Sequence, residues 1–267
     1  MKVLISVKTY PTISEKYDEL VCTAGFTEDG NFIRIYPISY RKLAYDKQYK
    51  KYQWIDIELI KNTKDFRKES YRPLSLDTIP VPCELMDTGK NRDWSERKKI
   101  VLKNVYTNMD TLIAQARKDA TSLAVFKPTK IKRFTWEAVE REWSKEKMAS
   151  LNQMNIFEKK DDGFKVVSKL PYKFKYEFED DNGKVSNMMI EDWEIGALFW
   201  KYKEDEKLAC QKVKEKYFDD FAKERDLYFY LGTTQKYHQK SINPFTIIGT
   251  FHPPFPKLKA ETQYSLF

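Results

Sequence analysis

The stretch from Phe32 to Glu58, FIRIYPISYRKLAYDKQYKKYQWIDIE, decides how the chain is read. Side chains alternate across a strand, so its opening places Ile33 and Ile35 on one face and Phe32, Arg34 and Tyr36 on the other. Pro37 interrupts that strand. A second strand closes the stretch over Gln53 to Lys61, with Ile55, Ile57 and Leu59 on one face and Trp54, Asp56 and Glu58 on the other. Between them Tyr40, Arg41, Lys42, Lys47, Lys50, Lys51 and Tyr52 interleave cations with aromatic rings. That mixture suits a nucleic-acid groove, because ammonium and guanidinium groups track phosphates while ring faces take bases. The same residues also fit an amphipathic helix from Arg41 to Tyr52 that turns Leu43, Tyr45 and Tyr49 inward. If the two strands are neighbours, Arg34, Tyr36 and Trp54 share one surface.

Upstream, Lys2 to Lys8 and Glu19 to Phe26 read as strands, and Gly30 supplies a turn that makes the second a hairpin with Phe32 to Ile38. So compact a run of strands implies a small barrel-like sheet. Downstream, Lys64 to Asp93 carries Pro73, Pro80 and Pro82 and reads as an irregular excursion bearing Arg67, Lys68 and Arg72. Asp93-Trp94-Ser95-Glu96 has the form of a capping box, which starts a helix carrying Arg97, Lys98 and Lys99 in its first turns. A second helix runs from Asp110 to Asp119, short strands cover Leu123 to Phe126 and Ile131 to Phe134, and Thr135 caps a helix reaching Gln153.

From Phe164 the pattern changes. Lys173 to Glu179, KFKYEFE, alternates strictly, and Asp180-Asp181-Asn182-Gly183 is a hairpin signal. A long helix opens near Glu191 and runs to about Arg225 with a break near Tyr202. Asp226 to Gly232 and Phe245 to Phe251 are apolar strands of the buried type. The fold class is therefore α+β: a strand-rich N-terminal part, a helical middle, and a C-terminal hairpin with a long helix and two buried strands. The polar run Glu158 to Gly163 marks a boundary between a basic domain over 1–157 and a second domain over 164–267.

Charge is unevenly placed. Of the net +8, the span Ser39 to Arg133 contributes 22 Lys/Arg less 12 Asp/Glu, or +10, leaving −2 for the rest. Basicity concentrated in one half points to a polyanionic partner. A hydrophobic content of 41% excludes the disordered class. Cys22, Cys83 and Cys210 form no CxxC pair, which argues for reduced thiols and against a structural zinc site. MKVLISVKTYP reads as a strand rather than a signal peptide, and no apolar run reaches about 18 residues, so no membrane span is expected.

Material for catalysis is sparse. Asp56-Ile57-Glu58-Leu59-Ile60-Lys61 approaches the acid-x-lysine arrangement of metal-dependent nucleases, but Lys61 stands three residues past Glu58 and so on the opposite face. Glu191, Asp192 and Glu194 fit dipole partners in a first helical turn. His238, beside Lys236, Tyr237 and Lys240 in a loop between buried strands, is a candidate phosphate contact or general base. No GxxxxGK[ST] or GxGxxG occurs, so no nucleotide cofactor is implied, and no metal-ligand spacing is present. These readings converge on a cytoplasmic nucleic-acid-binding protein, of DNA or RNA, acting with a protein partner. Its expected contacts are Arg34, Tyr36, Tyr40, Arg41, Lys42, Lys50, Lys51, Trp54, Arg97, Lys98, Lys99 and Lys236. The alternatives are a metal-dependent nuclease using Asp56 and Glu58, and a protein-interaction subunit that touches no nucleic acid.

Overall fold

A computed structural model of the chain describes residues 1–13, 19–75, 77–149 and 167–256. Eight strands form the largest sheet: β1 (Lys2–Lys8), β2 (Thr12–Ile13), β3 (Glu19–Phe26), β4 (Phe32–Ile38), β5 (Gln53–Asp56), β6 (Leu59–Lys61), β7 (Ser70–Pro73) and β8 (Val81–Leu85). Their spatial order is β6-β7-β4-β3-β1-β5-β8, with β2 paired to β3. Four more make a second sheet ordered β15-β14-β10-β9, from β9 (Val105–Tyr106), β10 (Leu123–Phe126), β14 (Tyr228–Thr233) and β15 (Phe245–Phe251). The third sheet is β11 (Lys130–Ala138), β12 (Tyr172–Glu179) and β13 (Val185–Met189). The protein is an α+β fold rich in strands.

β1 is apolar almost throughout because both of its faces are covered. Val3 and Ile5 join Ile33, Ile35, Ile55, Ile57 and Tyr49 in one core. Leu4 and Val7, with Ala24, Phe26 and Trp54, turn to the other side and pack on Leu123, Val125, Tyr230, Ile248 and Phe251 of the second sheet. The alternation in β4 and β5 is as the sequence implies, but the face bearing Arg34 and Trp54 meets protein instead of water. Arg34 is 3% exposed and Trp54 8%. Nor are β4 and β5 neighbours, since β3 and β1 lie between them.

The hairpin β3–β4 turns at Gly30, whose φ of +78° is a left-handed conformation that favours glycine. The hairpin β12–β13 turns at Asp180 to Gly183, where the Asp180 carboxylate accepts from the N–H groups of Asn182 (3.0 Å) and Lys184 (2.9 Å). Phe174, Tyr176 and Phe178 on the inner face of β12 form the third core with Met109, Leu112, Phe126, Ile195, Phe199, Val213, Tyr217 and Phe229. Burying each such ring or aliphatic side chain contributes roughly 1.5–3 kcal/mol.

The C-terminal helical run breaks near Tyr202 as its sequence implies. Trp193–Lys201 is capped by Asp192, Glu206–Lys214 by Asp205, and Glu215–Ala222 continues as a π-helix. Three expectations are corrected. Arg41 to Tyr52 holds two short 3-10 turns, Tyr40–Lys42 and Tyr45–Lys47, in place of an amphipathic helix. The excursion after Lys64 contains β7 and β8, which complete the large sheet. Thr135 caps no helix, because β11 continues through it to Ala138, drawn out by its pairing with the regular strand β12. The Glu158 to Gly163 boundary lies outside the described residues. No described helix is long and apolar enough to cross a membrane, and Cys22, Cys83 and Cys210 are free thiols.

Candidate functional site

A cleft of about 1010 Å³ separates the edge of the large sheet from the C-terminal strands. Its N-terminal wall comes from Tyr10 after β1, Arg34 and Tyr36 on β4, and Lys64 to Arg72 around β7. The facing wall comes from Trp143, from Lys169 to Lys173 at the start of β12, from Glu191 after β13, and from Thr233 to Lys236 after β14. Seven cations (Arg34, Lys64, Arg67, Arg72, Lys169, Lys173, Lys236) line it against two acids, Asp65 and Glu191.

The inner charges are consumed by structure. Arg34 donates to Ser122 Oγ (2.6 Å), to the Ser122 carbonyl (3.2 Å) and to the Thr233 carbonyl (3.2 Å). Glu69 accepts from Ser122 N–H (3.0 Å) and Ser122 Oγ (2.8 Å). Arg67 also donates to the Thr233 carbonyl and forks onto Asp65, with Nε to Oδ1 at 2.9 Å and Nη2 to Oδ2 at 2.6 Å. Burial raises the Asp65 carboxyl, but Arg67 and the Ser70 hydroxyl outweigh it and hold the group down to about 2. This network joins β4 and β7 to β10 and β14.

The outer cations stay at the surface. Lys64 and Lys236 are exposed with no carboxylate partner among the described residues, Arg72 is exposed and donates to the Pro73 and Leu74 carbonyls (3.3 Å each), and Lys173 is exposed and stands opposite Glu137 across β11 and β12. The aromatic walls are held from behind. The Tyr10 hydroxyl accepts from Trp200 Nε1 (2.6 Å) and donates to the Ser168 carbonyl (2.8 Å). Trp143 Nε1 donates to the Val167 carbonyl (2.9 Å), and the Tyr172 hydroxyl donates to Glu206 (3.0 Å). Glu191 contributes a carboxylate with no hydrogen-bond or ion-pair partner among the described residues, and burial alone raises it above the usual carboxylate range.

Of the contacts expected from sequence, the cleft gathers Arg34, Tyr36 and Lys236. Arg34 is committed to its network. Tyr40 is buried, donating to the Tyr49 carbonyl (2.8 Å) beneath the Lys8 ammonium. Lys51 pairs with Glu194 at 2.8 Å, and the pull of Glu194 and Asp192 raises it despite its burial. Arg97 is buried, donates to the Met86 carbonyl (2.9 Å) and stacks 4.1 Å over the Tyr52 ring. Lys99 pairs with Glu96, Lys98 is half-buried, Arg41 lines a small separate pocket beside Trp193, and Lys42 and Lys50 lie on the surface away from the cleft. Trp54 belongs to the core. The expected contacts thus disperse: Lys51, in the turn before β5, is held by Glu194, and Arg97, on the helix Ser95–Val101, is packed over the Tyr52 ring.

The weak catalytic candidates separate too. Asp56 holds the N-terminal ammonium at 3.0 Å, and Glu58 is exposed and outside the cleft. His238 is 1% exposed, with Nε2 donating to the Ala116 carbonyl (3.0 Å), which leaves Nδ1 to accept from Thr233 Oγ1 (2.7 Å). Both ring nitrogens are spent on holding the loop.

Two family models match the chain, each a domain of unknown function: DUF8758 over residues 1–103 and DUF8757 over residues 105–267. The second spans more than half of the sequence. The chain belongs to the DUF8757 family. The junction of the two matches precedes β9, and the cleft draws its walls from both matched regions. No curated protein matches the chain. A solved structure titled as a murine DNA-binding protein bound to double-stranded DNA aligns over 98% of each chain, at 11% identity and a TM-score of 0.33. Similarity at that level places this chain in neither that fold nor that function.

No sequence pattern marks Lys64, Lys169, Lys173, Tyr10 or Tyr172 as cleft residues, and the acidic run at Glu191, Asp192 and Glu194 suggests dipole partners instead of a cleft carboxylate. Lys169 and Lys173 flank Pro171 at a strand start, a place where functional side chains concentrate. Nothing in their spacing reveals that Lys64, a hundred residues earlier, stands across a cleft from them.

Proposed function

We propose that the chain binds nucleic acid, and that a short unpaired stretch lies in the cleft between the large sheet and the C-terminal strands. The observation that carries this reading is the convergence of exposed cations with aromatic walls in one cleft. Lys64, Arg72, Lys173 and Lys236 form its basic rim, and Tyr10, Tyr36, Trp143 and Tyr172 its walls. Cations of this kind contact phosphates, and rings offer stacking faces once bases are free of a duplex. Salt-dependent binding of fluorescent oligonucleotides tests the reading. For single strands log K falls with log[salt] by about 0.7 per phosphate contact, so four rim contacts give a slope near −3. Replacing Lys64, Arg72 and Lys173 together by alanine flattens that slope by about 2. A flat salt response in the wild type, or an unchanged slope in the triple variant, overturns the reading.

A further inference from the structure

Glu191 is the anomaly in a basic cleft. Asp65, the other acid, is neutralised by the Arg67 fork, whereas the Glu191 carboxylate has no partner among the described residues. Its backbone is fixed on both sides, the N–H donating to the Ile247 carbonyl (2.8 Å) and the C=O accepting from Tyr10 N–H (2.9 Å), so the side chain leaves from a rigid point between β15 and the end of β1. Asp192 and Glu194, by contrast, cap a helix and bind Lys51. A half-buried carboxylate without a donor is costly to maintain, and a ligand bringing donors to it removes that cost. Phosphate cannot do so, because two anions repel. A nucleobase can, provided its edge presents N–H groups.

We propose that Glu191 reads guanine in the cleft, its two carboxylate oxygens accepting from N1–H and the N2 amino group of an unpaired base. Guanine alone has two adjacent donors on its Watson–Crick edge. Adenine and cytosine place a ring-nitrogen acceptor beside the amino group, and thymine or uracil flanks its single N–H with carbonyls, so each sets a lone pair against one carboxylate oxygen. Single-stranded bases are recognised on these edges while stacked on aromatic side chains, and Tyr36 and Tyr10 line the same cleft. This inference rests on the nucleic-acid reading above and adds base identity to it.

The test is a set of short thymidine strands carrying one central dG, dI, dA or dC, measured by fluorescence anisotropy with the full chain. Deoxyinosine differs from dG only by the missing 2-amino group, so it deletes one of the two donors. The dG strand binds about tenfold more tightly than the dI strand, in the range of a bidentate base contact. Glu191→Gln, checked for folding by its melting curve, loses this preference, whereas Glu58→Gln, at an exposed carboxylate outside the cleft, keeps it. Equal affinity for dG and dI in a wild type that still binds all strands salt-dependently overturns the role of Glu191 and leaves the cleft as a non-selective site. Failure of every strand to bind overturns the nucleic-acid reading as well.

Discussion

Arg34 is the residue on which the sequence and the structure part most sharply, and Arg34→Met puts the difference in measurable form. Methionine keeps much of the apolar stem and removes three donated hydrogen bonds, to Ser122 Oγ, Ser122 O and Thr233 O. Hydrogen bonds from a charged donor contribute about 1.5–3 kcal/mol each. Full loss is not expected, because both carbonyls keep a second partner: Thr233 N–H donates to Ser122 O, and Arg67 donates to Thr233 O. Relief of guanidinium desolvation offsets a further part, and Glu69 loses its nearby cation, so the net loss falls near the lower end of what breaking a buried ionic network costs, about 3 kcal/mol. With a urea m-value of about 3 kcal/mol/M, the unfolding midpoint moves down by about 1 M with the slope unchanged. Glu69→Gln loses stability as well, and the double variant loses less than the sum by about 1 kcal/mol or more, since the two act on Ser122 from opposite sides. A midpoint shift below about 0.3 M, or strict additivity of the pair, refutes the reasoning and returns Arg34 to the candidate ligand contacts.

Two further predictions test the packing of buried side chains. His252 stacks on Phe221 at 3.6 Å and packs against Trp94, and burial, then Lys51 and Lys216, lower its pKa to about 2. The unfolded chain takes up this proton below about 6.5 while the native state does not, so stability is full above 6.5 and is lost on acidification toward 2. Between pH 7.5 and 5 the group costs about 2 kcal/mol. His252→Phe removes this part of the acid limb in urea titrations, and an unchanged pH profile counts against it. Gly196 has no room for a methyl group, since a Cβ there falls 2.2 Å from the Tyr10 ring, whose hydroxyl is tied at both ends. Gly196→Ala therefore lowers stability by about 1–3 kcal/mol and displaces the Tyr10 wall, detectable as an earlier melt, and a melt equal to that of the wild type contradicts the packing.

Much of the fold is legible in the chain because local rules agree with the tertiary ones. The apolar run Lys2–Lys8, the Gly30 turn, the alternation of KFKYEFE with its DDNG turn and the break near Tyr202 each depend on neighbours within a few residues. The even-odd partition of Phe32 to Ile38 and Gln53 to Asp56 was equally readable, since it follows from the pleat. What the pleat leaves open is the medium each face meets. A face holding Arg34 and Trp54 reads as solvent-facing by polarity, and only the docking of β10, β14 and β15 turns it into a core with a hydrogen-bonded arginine. Thr135 fails as a helix cap for the same reason, because its partner strand β12 arrives from forty residues away. The cleft lies furthest from the sequence. Lys64, Lys173, Glu191 and Lys236 carry no common motif, and they meet because antiparallel pairing in three sheets brings four separate strand ends together. Composition alone determined that the protein is basic, aromatic and able to bury large cores. Which cations stay exposed to meet a ligand was decided by the tertiary structure, because docking of the sheets buries Arg34, Arg67 and Arg97 among carbonyls, carboxylates and rings and leaves Lys64, Arg72, Lys173 and Lys236 at the surface.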